Sequence, residues 1–315
     1  MAGCGGKQPA ASPAGPAAQG TAAQGPLKIA VIPKGLSHQF WLTVKAGAEA
    51  AGKDLGAAIL WQGPAKETEL DKQINIVQDM INRKVDGLVL AACDEHALIP
   101  SIQRALDAGI PTVTIDSGVQ SELPLSFIAT DNIAGARAAA DVLAAAIGGS
   151  GKVGLIAFVP GAATSELRQK GFTEGITAHP GITLLPVQHC MSDVARAMNI
   201  AQDMMTANPD LKGIFAANEA AAIGAAQAVK AAGKTGQVKI VAFDASDDEI
   251  KDLKEGVLHA LIVQNPFRMG YEGVASIFKA RKGETLEKRV DTGVTVVTLE
   301  NFDTPEVQKL LYPLQ

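Results

Sequence analysis

The sequence predicts an α/β protein with two doubly wound, parallel-sheet lobes facing one cleft. Three segments carry the prediction: 109–116 (GIPTVTID), 211–218 (LKGIFAAN) and 238–244 (VKIVAFD). Each is apolar through its body, as a strand buried on both faces of a helix-covered parallel sheet must be. Each ends in Asp or Asn at its carboxyl end, where open α/β sheets place their ligand crevice. One such ending is an ordinary turn signal. Three of them, spread over both halves of the chain, indicate two sheets offering polar tips to a shared site.

The elements follow in order. A strand over 27–33 leads through loop 34–39 into a helix over 40–55, stopped by Gly56. A strand over 57–62 precedes a helix over 67–84, whose Leu70, Ile74, Val77 and Ile81 form one apolar stripe. Strand 86–92, helix 95–108, strand 111–116 and a short extended piece, 125–130, complete the first run. Alternation of this kind builds a parallel sheet. Helix 133–147 opens a second cycle: strand 152–158, helix 165–179, strand 183–188, helix 193–207, strand 212–217, helix 219–232 and strand 238–243. Ser246 and Glu249 form a capping box for the next helix. KVDGLVLAACDE echoes PDLKGIFAANEA, so the architecture is a duplication. A strand at 259–264, a helix at 267–282 and a strand at 293–299 belong to neither run and are shared between the lobes.

Composition narrows the function. With 47% hydrophobic and 19% charged residues, the 315-residue chain has core enough for two domains. A net charge of −5 argues against nucleic acid as a partner, and no apolar run is long enough to span a membrane. Catalytic and cofactor motifs fail in context. Gly149–Gly154 matches a dinucleotide fingerprint but precedes a strand instead of following one. The five histidines are scattered without metal-ligand spacing. No cofactor, metal or enzymatic activity is expected. Cys93 and Cys190 read as small buried thiols.

The amino terminus is different. Met1-Ala2-Gly3-Cys4 resembles the end of a bacterial lipobox, with Met where Leu would stand, and residues 5–26 are Ala, Gly, Pro, Gln and Ser with few others. Such a stretch behaves as a disordered linker. The expectation is a chain cut at its processing site, with a lipid on Cys4 and a tether over 1–26; the alternative is a cytosolic disordered tail.

Ser37-His38-Gln39-Phe40-Trp41, Val44–Ala48, GIPTVTIDSG, IATDNIAGARAAAD, Arg168–Phe172, GIFAANEAAAIGAAQA, VAFDAS and Gln264-Asn265-Pro266 form an ordered set. Over about 27–299 this set resembles the periplasmic sugar-binding proteins of the ribose-binding type, and also the effector-binding core of LacI-type repressors. The segment before Leu27 is unable to form the repressors' helix-turn-helix. The resemblance implies a three-crossing hinge, with lobes of 27–130 plus 265–292 and 131–264 plus 293–315. It implies an ABC permease as partner, a monomer, a periplasmic or cell-surface location, and membrane attachment only through the lipid. A sensor feeding a chemoreceptor or histidine kinase would have the same site; an α/β enzyme is the reading from another class.

Residue by residue, the resemblance implies stacking by Phe40 and Trp41, and hydroxyl partners in Asp116, Arg168, Asn218, Asp244 and Gln264. Aromatic rings suit the C–H faces of a sugar, and charged or amide groups suit its hydroxyl edge. Departures fall at His38, where the pattern has Asn, at Ser117, where it has Arg, and at Ser192 or a near neighbour, where it has Phe. One Arg fork and one ring are therefore expected to be missing. The ligand is left open among a pentose, a hexose and a polyol such as an inositol.

Overall fold

The computed structural model describes residues 1–3 and 25–313. Cys4 and most of the expected tether lie outside the described residues. The first run is β1 (Lys28–Ile32), α1 (Gln39–Leu55), β2 (Ala58–Trp61), α2 (Leu70–Asn82), β3 (Gly87–Leu90), α3 (Ile99–Asp107), β4 (Thr112–Ile115) and β5 (Phe127–Ala129). The second is α4 (Asn132–Ala146), β6 (Gly151–Ala157), α5 (Ala163–Thr177), β7 (Ile182–Leu184), β8 (Gln188–His189), α6 (Val194–Ala207), β9 (Leu211–Ala216), α7 (Glu219–Ala231) and β10 (Lys239–Phe243). Then come α8 (Asp247–Lys254), β11 (Ala260–Val263), α9 (Pro266–Arg281), β12 (Arg289–Asp291), β13 (Thr295–Val297) and α10 (Pro305–Leu311).

Two sheets result. One has the order β12-β5-β4-β3-β1-β2 and the other β13-β11-β10-β9-β6-β7, with β8 also paired to β6. All pairs are parallel except β11 with β13. The chain passes from the first sheet to the second after β5, returns after β11, and passes again between β12 and β13. At these passages Arg289 donates to the carbonyls of Ala129 and Thr130 (3.1 and 2.9 Å), and Thr130 to that of Gly293 (3.3 Å).

Strand alternation explains why both sheet faces are apolar. Ile29 and Val31 of β1 pack with α1 and α9 residues such as Val44 and Met269, while Ala30 and Ile32 pack with Val77 of α2 and Ile102 of α3. Successive side chains on a strand point to opposite faces, so an all-apolar strand requires helices on both. The α1–α9 contact is close because it is made at glycines: a Cβ on Gly47 would fall 1.9 Å from the Phe267 carbonyl oxygen.

Several boundaries differ from expectation for local reasons. The helix expected at 67–84 begins at Leu70, because Glu69 folds back to accept the Ala65 and Lys66 amides at 2.9 and 3.2 Å. This leaves Glu67 in the loop. The helix expected at 95–108 begins at Ile99, with Pro100 in its first turn and Asp94 binding the His96 and Ala97 amides. The strand expected at 183–188 is two short pieces on either side of Pro186, which has no N–H for a ladder. Strand β12 and helix α10 were not anticipated.

Candidate ligand-binding site

Strands β4 and β10 end alike. Asp116 follows β4 with φ 53° and Asp244 follows β10 with φ 85°, a left-handed backbone that costs a side-chain-bearing residue about 1–3 kcal/mol. The bend carries both carboxylates off the strand line into the space between the lobes. That space is a narrow cavity lined by Lys34, His38, Phe40, Trp41, Glu67, Asp116, Phe158, Arg168, Asn218, Asp244 and Gln264. A hollow adjoins it, reaching α10 through Leu310 and Leu311.

Of the ten residues expected from sequence, eight line the cavity. Trp41 is buried and meets Phe40 edge-on at 4.9 Å. Arg168 is buried over the Phe243 ring, at 3.8 Å; its Nε donates to Asn132 (2.8 Å) and its Nη1 to the Ala217 carbonyl (2.8 Å). Asp244 accepts the Gln264 amide (2.6 Å) and the Glu219 N–H (3.1 Å), and lies 3.9 Å from Arg168. Asn218 has a double role, since its Oδ1 caps α7 through the Ala221 N–H (3.0 Å) while its Nδ2 donates to Ser192 (3.1 Å).

Two expected residues stand differently. Ser117 is fully buried, its Oγ has no hydrogen-bond partner, and it is not part of the lining. Ser192, held at φ 51°, is also not part of the lining; its Oγ donates to Glu67 (2.7 Å). The expectation of a missing ring needs correction, because Phe158 at the end of β6 lines the cavity from the second lobe.

Lys34 and Glu67, like Phe158, are residues that sequence reasoning missed. The Lys34 ammonium lies 3.0 Å from Asp116 Oδ2, donates to Thr164 of the other lobe (2.9 Å), and sits 5.7 and 5.4 Å from the Trp41 and Phe158 rings. Glu67 receives the Trp41 indole N–H (3.1 Å) and lies 3.7 Å from His38. The Lys34 ammonium thus pairs with Asp116 and lies within the field of Glu67. Burial by itself would lower the Lys34 pKa, but Asp116 and Glu67 hold it above its ordinary value. Burial would raise Glu67, yet Lys34, His38 and its two donors hold it below. Burial pushes the Asp116 carboxyl up despite Lys34 and Arg168.

The remaining valences define what the cavity accepts. Asp116 Oδ2 meets only the Lys34 ammonium, at 3.0 Å, and Gln264 Oε1 has no donor; both atoms are buried. A buried acceptor without a donor is costly, so a ligand rich in hydroxyl donors fits. Among the described residues, no group of three or more His, Cys, Asp or Glu is placed to hold a metal. Burial pushes the free thiols of Cys93 and Cys190 up to about 12 and about 11, so neither is a ready nucleophile.

Two parallel-sheet lobes, joined by three strand-end passages and closed over a polar and aromatic cavity, define a two-lobed solute-binding protein. A family model described as periplasmic binding protein domain matches residues 29–285. The D-ribose/D-allose-binding protein of Pseudomonas aeruginosa is 33% identical over 286 residues, covering 88% of this chain and 89% of that protein. An ABC-transporter solute-binding protein from Agrobacterium vitis with bound D-fucose superposes with a TM-score of 0.88 at 40% identity, covering 90% of this chain and all of that one. A carbohydrate transporter solute-binding protein from Agrobacterium radiobacter, in complex with D-arabinose, gives 0.89 at 35% identity, covering 91% and 99%. The chain belongs to the periplasmic binding protein family and, within it, to the ribose-binding type. Its relatives are solute-binding proteins, not enzymes. Among the described residues no helix is long and apolar enough to cross a membrane.

Proposed function

We propose that this protein is the substrate-binding lipoprotein of an ABC sugar importer, closing its lobes on a monosaccharide or polyol and presenting the closed form to a membrane permease. The observation that carries the reading is a pair of under-satisfied buried acceptors, Gln264 Oε1 without a donor and Asp116 Oδ2 with only the Lys34 ammonium, in a cavity also lined by Trp41 and Phe158. A sugar supplies hydroxyl hydrogens to the first and C–H faces to the second. Asp116, Arg168, Asn218, Asp244 and Gln264 grip hydroxyls, Phe40, Trp41 and Phe158 cover the faces, and His38 lies beside them. Lys34 and Glu67 act from the first lobe beside them.

The relatives' sugars, ribose, allose, arabinose and fucose, support this class of ligand. The bonds between Lys34 and Thr164 and between Ser192 and Glu67 support closure, since each joins residues of different sheets' lobes. A lipid on Cys4 at the membrane surface is supported by the Met1–Cys4 sequence and the linker-like composition after it. A thermal-shift screen over pentoses, hexoses and polyols tests the reading, because a ligand of the native state stabilises by mass action. The expected result is a raised melting temperature with at least one neutral sugar or polyol. No shift across the panel, or chemical conversion of a sugar, would overturn it. Loss of detergent-phase partitioning in Cys4→Ser, expressed behind a lipoprotein leader, tests the anchor.

A further inference from the structure

Glu219 is the first residue of α7, directly after Asn218, and its side chain is buried. It is not part of the lining of the main cavity; it lines the adjoining hollow together with Gln39 and crosses to the other lobe. Its two oxygens accept the backbone N–H groups of Gln39 (3.0 Å) and Phe40 (3.1 Å) at the start of α1. Helix α1 provides no cap for itself: His38 makes no side-chain cap bond and the first turn holds no acid. The first amides of a helix have no partner within it. A carboxylate there makes charge-assisted bonds and meets the positive end of the helix dipole. In the reverse direction, Gln39 Oε1 accepts the Asp247 N–H (3.0 Å) in the first turn of α8. Each lobe therefore caps a helix of the other.

This exchange connects to the cavity through Asp244. The Glu219 N–H is held by Asp244 Oδ2, and Asp244 Oδ1 holds Gln264. Asp244 thus fixes the start of α7, which aims Glu219, and Glu219 fixes the start of α1, which carries Phe40 and Trp41.

We propose that Glu219 is a positioning residue that latches the closed clamp without touching the ligand, docking the aromatic end of α1 against the Asp244 corner. When the lobes part, the carboxylate and the α1 amides both face water. The bonds then exist only in the closed form, and they set how long that form lasts more than how fast it is reached. The inference rests on the hinged-clamp reading above.

Stopped-flow tryptophan fluorescence tests it, with Trp41 in the cavity as reporter and D-ribose, D-allose, D-arabinose and D-fucose as probes. Glu219→Gln keeps the size but turns one acceptor into a donor that faces an amide. The expected result is an off-rate raised roughly tenfold with an on-rate within about threefold of wild type, as for other losses of a closed-state contact. The melting temperature of the unliganded protein should be unchanged. Gln39→Ala, which removes only the reciprocal bond, should raise the off-rate by about threefold, in keeping with one neutral hydrogen bond. A wild-type off-rate in Glu219→Gln, or a raised one accompanied by a lower unliganded melting temperature, overturns the latch. If Glu219→Gln fails to fold, an unchanged off-rate in Gln39→Ala overturns it instead. A wild type that binds none of the four probes is a separate result: it removes the clamp reading and the latch falls with it.

Discussion

Asp116 and Asp244 occupy equivalent places in the two lobes, each just past a buried parallel strand and each with a left-handed backbone. Their surroundings are not equivalent. Asp244 is tied into its own lobe by the Glu219 N–H and Gln264, with Arg168 close by. Asp116 is paired with one ammonium, that of Lys34, whose charge Glu67 also feels. The second-lobe tip is a finished corner that also shapes the protein. The first-lobe tip rests on one ion pair, with Lys34 of its own lobe. Duplication therefore reproduced the backbone device, while the loops around it diverged to different tasks.

The largest effect should come from Asp244→Ala. It should cost about 2–5 kcal/mol of sugar affinity, partly through groups left buried and unpaired. It should also lower the unliganded melting temperature, because Glu219 and Gln264 lose an acceptor within the fold. Titration calorimetry and scanning calorimetry measure the two, and an unchanged melting temperature would erase the proposed contrast between the tips.

Asp116→Asn should be next, with a loss of about 1.5–3 kcal/mol of affinity, the worth of a hydrogen bond to a charged group. Its unliganded melting temperature should move less than that of Asp244→Ala, since Lys34 keeps its bond to Thr164 and the nearby charge of Glu67. Equal destabilisation by the two variants would mean that both tips are structural. Ser192→Ala should follow, weakening binding by about 1 kcal/mol through the lost Glu67 bond, which spans the lobes.

The smallest effect sharpens the account of the second-lobe corner. Glu249 is buried behind it, and burial together with Asp244 and Glu219 pushes its carboxyl well above the ordinary value. The folded state then holds this proton more tightly than the unfolded chain does. Its contribution to stability is full below the unfolded pKa and is lost as pH rises through the folded one. Glu249→Gln should therefore gain on wild type in melting temperature as pH rises from 5 to 8. A difference that does not grow with rising pH would show that Glu249 stays ionised in the fold.

Much of the candidate site was legible because it lies where local pattern changes. Asp116, Asn218 and Asp244 interrupt apolar runs, and Phe40 and Trp41 open a helix after the first strand. The residues missed lie where nothing local marks them. Glu67 looked like the first residue of a helix, and only the fold-back of Glu69 leaves it free to reach Trp41 and Ser192. Phe158 read as one more apolar strand residue, with no sign that the strand's end opens onto the cavity.

By itself the sequence determined the doubly wound lobes, because strand burial and helix stripes are set by the spacing of side chains along a few residues. It also marked the strand tips, through the polar residue that ends each apolar run. Tertiary structure decided the pairing across the cleft. Lys34 with Thr164, Glu67 with Ser192, and Glu219 with the start of α1 join residues 125 to 180 positions apart. Their charge and burial depend on how two separately built lobes meet, and no short-range pattern in the chain records that meeting.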